Sequence, residues 1–274
     1  MTAPRSTQVI LSIWLAACLL FASFPGIDLA VTGLFYDPAT GQFPLGGHAA
    51  LQALREVIWN ALNLLALLCL FLGLQGLFTR RAMRIPARIW GFCVALILLG
   101  PGILVNLILK SHWGRARPAQ LELFGGNARF TPPLQISDQC ASNCSFVSGE
   151  AAFAACGAII LGLLLWHVVP ARRRRWLLAA LALFAVAAAS MRVMTGRHFL
   201  SDVVWSFILM GTLAHLLARL FQLAPIHSRV TAGALRADAQ SVTADLAGAG
   251  HRALHRARTG LLALRDSFAR NRRP

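Results

Sequence analysis

Acidic residues and charge in general are scarce in this chain of 274 residues. It has 10 aspartates and glutamates against 26 lysines and arginines, only 13% of its residues are charged, and 57% are hydrophobic. Ordinary soluble domains carry about 25% charged residues, so the composition excludes that class. The mean hydropathy of +0.62 instead indicates an integral membrane protein.

Lysine is scarcer still. The 26 basic residues include one lysine, Lys110, and are otherwise arginine. Where arginine is so strongly preferred, one retained ammonium suggests a site that needs a compact, flexible point charge. Phosphate binding is the natural candidate. Clustered metal-ligand residues are also lacking, so neither a metal nor another cofactor is expected.

Apolar segments of membrane-spanning length, or nearly so, occur six times. They cover residues 7–24, 57–78, 89–109, 151–169, 176–191 and 203–221. The first could be a cleaved signal peptide, but no small-x-small cleavage site follows it. Short arginine-rich loops stay in the cytoplasm. The loops and termini predicted to be cytoplasmic include Arg5, Arg80, Arg81, Arg84, Arg88 and Arg172–Arg175.

This pattern predicts an all-α protein with two parts. Residues 1–221 form a six-helix bundle in the bacterial cytoplasmic membrane, and residues 222–274 form a basic cytoplasmic tail. Both termini are cytoplasmic, so the loops at the other end of the bundle face the periplasm. Membrane lipids are the expected surroundings. Nucleic acid is not an expected partner, because the topology accounts for much of the positive charge.

Three short motifs lie near the ends of the segments that face away from the cytoplasm. They are Lys110-x6-Arg117-Pro118, Ser148-Gly149-Glu150 and Arg192-x5-His198-x3-Asp202. In this order and spacing they resemble the type 2 phosphatidic acid phosphatase (PAP2) superfamily, membrane enzymes that remove phosphate from lipids. The chain departs from the family pattern twice. Glu150 stands where the second motif has histidine, and Met191 stands where serine precedes the third-motif arginine.

The resemblance implies that an extracytoplasmic site binds the phosphate group of a lipid. Lys110, Arg117 and Arg192 would clamp the phosphate oxygens, and the two guanidinium groups can do so in a bidentate manner. Backbone N–H groups around Ser148 and Gly149, at the start of a helix, would add further donors.

The resemblance also implies that His198 is the nucleophile, forming a phosphohistidine, and that Asp202 holds its other ring nitrogen. Their i, i+4 spacing puts the two side chains on one helical face. Glu150 occupies the place of the histidine thought to protonate the departing alcohol. A glutamate is mostly ionised at neutral pH and is a poor proton donor. Its alternative role is positioning, paired with Lys110 or Arg117.

Leaving groups that need little protonation suit such a site. Undecaprenyl diphosphate and the 1-phosphate of lipid A are therefore the preferred substrates, with phosphatidylglycerol phosphate and phosphatidate also open. Two other classes of function are compatible with the sequence: a catalytically silent membrane protein that binds lipid phosphates, and a vanadate-dependent haloperoxidase, although those enzymes are soluble. Only the phosphatase hypothesis predicts phosphate release that depends on His198.

The outward loops are predicted to cover the bundle and the site. Residues 25–56 are interpreted as a structural cap that ends in a short interfacial helix around 49–56. Within the first motif, His112 and Arg115 are interpreted as solvated spacer residues, with contact to the substrate as the alternative. Arg197 beside the nucleophile could contact a headgroup.

Two further predictions concern the outward loop before the second motif and the tail. Cys140 and Cys144 lie in a compartment that permits a disulfide. The tail contains apolar residues at three-four spacing, which predicts a basic amphipathic helix able to lie on anionic lipid. These residues are Leu254, Ala257, Leu261, Leu264 and Phe268.

Overall fold

The structure, a computed structural model, describes residues 5–78 and 83–244 together with Thr259. Within these residues there is no β-strand, only two isolated bridges, so the predicted all-α class is confirmed. The helices are α1 (Arg5–Ser23), α2 (Gly26–Gly33), α3 (Ala49–Phe78), α4 (Ala87–His112), α5 (Gly149–Leu165), α6 (Arg174–Met194), α7 (Leu200–Leu220) and α8 (232–244).

Five of the helical segments in the described part of the chain are long and apolar enough to cross a membrane. They are α1, α3, α4, α7 and the segment Ala171–Met194 that contains α6. The remaining predicted span, 151–169, corresponds to α5, which has 17 residues and ends at Leu165. The membrane bundle is therefore confirmed, whereas the count of six spans is not.

The short helix α5 lies at the centre of the bundle, in contact with α3, α4, α6 and α7. Its sequence is rich in alanine and glycine, small residues that let neighbouring membrane helices approach closely. Ala152, Ala154 and Cys156 are fully buried, and Leu62 of α3 fills the space beside Gly157. Packing on several sides thus fixes the helix that begins with the second motif.

The second half of α4 departs from regular α-helical geometry. The stretch Leu98–Leu109 is π-helical and includes Pro101. Proline has no N–H to donate, and its ring clashes with the carbonyl one turn earlier, so it interrupts the regular hydrogen-bond pattern. Wider turns of this kind are frequent at functional sites. Here the stretch ends directly before Lys110, the first residue of the first motif.

The segment predicted as a cap, 25–56, contains more helix than expected. Residues Gly26–Gly33 form α2. The short interfacial helix predicted around 49–56 was wrong as a separate element, because it is the beginning of α3, which continues to Phe78. This stretch is rich in leucine and alanine and contains no proline, so nothing interrupts the helix.

The chain continues to pack against the bundle beyond residue 221. Ile226 and Val230 are buried in the main core. Asp238 of α8 accepts hydrogen bonds from the backbone N–H groups of Arg84 (2.7 Å) and Ile85 (2.9 Å), just before α4. The first part of the tail is therefore tied to the bundle. The amphipathic pattern predicted further along the tail lies outside the described residues.

Candidate active site

The three motifs meet at one end of the bundle. Lys110 lies near the end of α4, the second motif begins α5, and the third connects α6 with α7. A Cβ atom placed on Gly149 would lie 3.5 Å from Lys110 Nζ. Arg192 Nε lies 3.5 Å from a carboxylate oxygen of Glu150. Residues far apart in the sequence are thus neighbours in one site.

His198 lies in the turn between α6 and α7, with 2% of its surface exposed. Its Nδ1 atom is 2.8 Å from the carbonyl oxygen of Ser145. A carbonyl oxygen can only accept, so Nδ1 carries the proton and donates it, which leaves the lone pair on Nε2. Burial lowers the pKa of His198 to about 4, although Asp202 opposes this shift. The imidazole is therefore neutral at neutral pH.

This arrangement differs in two details from the predicted histidine–aspartate pair. Nδ1 lies 3.6 Å from Oδ2 of Asp202, so its nearest partner is the Ser145 carbonyl, which none of the three motifs contains. In addition, α7 begins at Leu200, so His198 precedes the helix and the two side chains do not share a helical face. Asp202 thus lies beside the imidazole, while the short hydrogen bond from Nδ1 goes to the Ser145 carbonyl.

Asp202 is completely buried, and both of its oxygens accept hydrogen bonds. Oδ2 accepts from the Ser145 hydroxyl (2.5 Å) and the Phe199 N–H (2.9 Å), and Oδ1 accepts from Nη1 of Arg115 (2.6 Å). A buried carboxylate needs such partners because an unpaired charge is costly away from water. Ser145 therefore binds both members of the pair: its hydroxyl holds Asp202 and its carbonyl holds His198.

The prediction that Arg115 is a solvated spacer was wrong. Arg115 is fully buried, and its guanidinium bridges Asp202 and Asp28 of α2, with Nη2 2.7 Å from Asp28 Oδ2. Asp28 also accepts hydrogen bonds from the N–H (2.8 Å) and hydroxyl (2.5 Å) of Ser201. Burial raises the pKa of Asp28, and Arg115 opposes the rise. An acidic residue in an apolar stretch needs such a partner, which was the missed signal.

Glu150 is bound by an arginine that lies outside the three motifs. Arg55 of α3 donates to both carboxylate oxygens, with Nη2–Oε1 2.7 Å and Nε–Oε2 2.9 Å. The expected pairing with Lys110 or Arg117 was wrong, because the packing of α3 against α5 brings Arg55 closer. The bidentate geometry is that of a guanidinium with an ionised carboxylate. The sequence signal for this contact was an arginine near the start of a mostly apolar helix.

Lys110 and Arg117 bind the same neutral residue. Lys110 Nζ is 3.3 Å from the side-chain oxygen of Asn143, and Arg117 Nη2 is 2.9 Å from its backbone carbonyl. Partial burial lowers the pKa of Arg117, and nearby Arg197 adds to this effect, but a guanidinium stays protonated in proteins. Among the residues that the structure describes, no carboxylate accepts a hydrogen bond from either cation, so both charges are available to an anion.

The second motif shapes the start of α5. The Ser148 hydroxyl accepts a hydrogen bond from the Ala151 N–H (3.3 Å) and caps the helix. A Cβ atom on Gly149 would lie 3.1 Å from the side-chain oxygen of Asn106, so glycine permits the close approach of α4. The Ser148 N–H donates to the Asp202 carbonyl (3.3 Å). That contact competes with the predicted use of this N–H group for phosphate.

The loop 111–147 also brings its two cysteines together. The Cα atoms of Cys140 and Cys144 are 5.7 Å apart, a separation that a disulfide spans, and the bond stays a prediction. Within residues 5–78 and 83–244, no set of three His, Cys, Asp or Glu side chains is placed to hold a metal ion.

The structure thus brings together, at one end of the apolar bundle, a neutral buried histidine and the cationic side chains of the three motifs. Residues 88–225 match the PAP2 superfamily. The chain therefore belongs to this superfamily, as the three motifs predicted. It is a metal-independent phosphatase that acts on lipid phosphates.

The relatives of this chain include two lipid A 4'-phosphatases. The one from Rhizobium leguminosarum is 36% identical over 208 residues, which cover 71% of this chain and 87% of the relative. The one from Francisella tularensis subsp. novicida is 35% identical over 196 residues, covering 69% and 83%. A solved structure, the transmembrane PAP2-type phosphatidylglycerolphosphate phosphatase from Bacillus subtilis, has a TM-score of 0.46 and 24% identity, covering 78% of this chain and 96% of its own.

Proposed function

We propose that the protein removes the 4'-phosphate of lipid A. The names of the relatives support this substrate, and the similarity extends over 87% and 83% of their lengths. The observation that carries the chemistry is His198, which is buried, neutral at neutral pH and held with its Nε2 lone pair free.

In the proposed reaction, Nε2 of His198 attacks the phosphorus atom and the P–O bond to the sugar breaks. Lys110, Arg117 and Arg192 bind the three non-bridging oxygens, over which the charge of the transition state is spread. The Asp202 carboxylate stabilises the positive imidazole as it forms. Water then attacks the phosphohistidine, the P–N bond breaks, and inorganic phosphate leaves.

Glu150 has a positioning role in this proposal. Its carboxylate holds Arg55 and lies 3.5 Å from Arg192 Nε, so it orients a phosphate-binding arginine. The departing sugar oxygen takes its proton from water. The preference for undecaprenyl diphosphate or the 1-phosphate of lipid A depended on Glu150 as a weak acid, and this role removes that basis. Both remain as competing substrates in the test.

The test is phosphate release by the purified enzyme across a panel of lipid phosphates. The panel contains lipid A with only the 4'-phosphate, lipid A with only the 1-phosphate, undecaprenyl diphosphate and phosphatidate. We expect the highest kcat/KM on the 4'-phosphate, retention of activity in EDTA and inhibition by vanadate. A higher kcat/KM on either competitor would replace the proposed substrate.

The proposed nucleophile is tested with His198→Ala. This variant should insert and fold but release no phosphate, because the covalent route is lost. Denaturation at alkaline pH, where the P–N bond of a phosphohistidine is stable, during turnover of 32P-labelled substrate should trap label on the wild type and none on the variant. Release of more than a few per cent of wild-type phosphate by folded His198→Ala would remove His198 from this role. A wild type that hydrolyses no lipid phosphate would support the silent alternative.

We also propose that the site faces the periplasm, because the arginine-rich loops favour the cytoplasm. Asn127 and Ala171 are both exposed and are separated by the bundle in this topology. In a background with Cys140 and Cys144 replaced by serine, single cysteines at these positions can be labelled in cells with a permeabilised outer membrane. A membrane-impermeant thiol reagent should reach position 127 and miss position 171. The reverse pattern would invert the topology.

A further inference from the structure

A cavity of about 630 Å³ opens beside the phosphate site. This is the size of a pocket for a whole small molecule, and a phosphate group fills only part of it. Arg117 and Arg192 form the wall that the cavity shares with the phosphate site. Other parts of its wall, outside the predicted site, are formed by Gln42, Phe43, Gln52 and Arg197.

The wall around Phe43 is held in place by close packing. Phe43 lies over Gly196, where a Cβ atom would come within 2.6 Å of the ring. Glycine is also suited to this position because its φ is +65°. On its other sides Phe43 packs against Tyr36 and Phe124, with ring centroids 5.3 Å and 5.7 Å away. This wall of the cavity is thus fixed by contacts within the protein.

Two polar side chains that line the cavity have no hydrogen-bond or ion-pair partner among the described residues. Arg55 is paired with Glu150, and Gln52 donates to the Gly46 carbonyl (2.8 Å). By contrast, the side chains of Arg197 and Gln42 are exposed and make no hydrogen bond or ion pair with the residues that the structure describes. Their donors therefore point to a ligand that has several polar or anionic substituents.

We propose that this cavity is a headgroup subsite for the sugar that carries the phosphate to be removed. Arg197 and Gln42 bind polar substituents of the sugar, and the ring of Phe43 packs against its C–H groups. The subsite lies against Arg117 and Arg192, so a bound sugar presents its phosphate to His198. This inference rests on the proposed function and refines it, since it predicts selectivity for phosphates carried by sugars over phosphates carried by glycerol.

The subsite is tested by the ratio of two kcat/KM values, one for lipid A 4'-phosphate and one for phosphatidate with matched acyl chains. Arg197→Ala should lower this ratio by about tenfold or more, because hydrogen bonds from a charged group to the sugar are lost. Gln42→Ala removes a neutral donor and should lower it by about threefold. Arg129→Ala removes an exposed arginine that does not line the cavity, and the ratio should stay at the wild-type value.

Two outcomes of this experiment would overturn the subsite. Equal losses of Arg197→Ala on both substrates would assign Arg197 to the phosphate site or to the placement of His198, and would overturn the subsite. An unchanged ratio in both Arg197→Ala and Gln42→Ala would also overturn it. A wild-type enzyme that is active but has a higher kcat/KM on another lipid phosphate of the panel would contradict the proposed substrate. That result would not bear on the position of Arg197 and Gln42 in the cavity.

Discussion

Arg115 and Arg117 stand two positions apart in one motif, and the fold gives them different surroundings. Arg115 is fully buried, and its guanidinium is bound to the carboxylates of Asp28 and Asp202. Arg117 is only partly buried, and its guanidinium donates to the Asn143 carbonyl. The charge of the first is already balanced inside the protein, whereas the charge of the second is available.

The same contrast separates the two regions to which these arginines belong. The buried region, made of Asp28, Arg115, Ser201 and Asp202, is paired and hydrogen-bonded throughout. The open region contains Lys110, Arg117 and Arg192, and these cationic side chains outnumber the carboxylate that the described residues place beside them, that of Glu150. An excess of positive charge is what an incoming phosphate dianion requires, whereas a buried region with such an excess would not be stable.

Arg115→Ala should have the largest effect, and on stability. It leaves two carboxylates buried without a counter-charge, which costs about 3–5 kcal/mol. We expect a lower melting temperature and a lower folded yield in detergent. Arg115→Lys keeps the charge but lacks the planar fork that reaches both carboxylates, so it should recover only part of the loss. A wild-type melting temperature for Arg115→Ala would show that the ion pairs of the buried region do not stabilise the fold, and the two regions would then not differ in this respect.

Arg117→Ala should show the opposite pattern. The variant should retain the wild-type melting temperature, because no buried charge is left unpaired. Its kcat/KM should fall by about 10²–10³, the usual effect of removing one group that stabilises transition-state charge. Arg129→Ala, an exposed arginine from the same loop, serves as the control and should match the wild type in both measurements. A large loss of stability in Arg117→Ala would show that both arginines support the fold.

Glu150→Gln sharpens the contrast for the one carboxylate of the open region. The substitution keeps the shape and removes the charge that holds Arg55 and Arg192. We expect a loss of about tenfold in kcat/KM on a sugar phosphate and on a diphosphate alike, because both need the same arginine. A loss confined to the sugar phosphate would instead identify Glu150 as a proton donor to the leaving oxygen.

The smallest expected effect concerns the pH dependence of activity. It depends on His198, which lies where the buried and open regions meet. Burial lowers the pKa of His198 to about 4, so the imidazole becomes protonated and inactive only as the pH falls toward that value. The kcat/KM, which reports the groups of the free enzyme, should therefore show no histidine limb between about pH 5 and pH 7 once the separately measured ionisation of the substrate phosphate is divided out. Loss of half the activity near pH 6.5 would mean that His198 titrates as an unburied histidine.

The three motifs were sufficient to predict the family, because phosphoryl transfer imposes particular residue types at particular spacings. The apolar segments were sufficient to predict a helical membrane bundle. The interpretation of Arg115 as a solvated spacer failed because a motif gives no information on which way a side chain points. The separate helix around 49–56 failed because its boundary was taken from the start of the most apolar stretch.

The sequence by itself determined the family, the membrane character and the residues expected to act on phosphate. Only the tertiary structure decided which residues hold them. Arg55 reaches Glu150 across 95 positions, Arg115 reaches Asp28 across 87, and the Ser145 carbonyl reaches His198 across 53. Such contacts depend on how the helices pack, which is the sum of many small interactions between surfaces. The spacing of residues along the sequence indicates which of them share a face of one helix, but it does not indicate which other helices pack against that face.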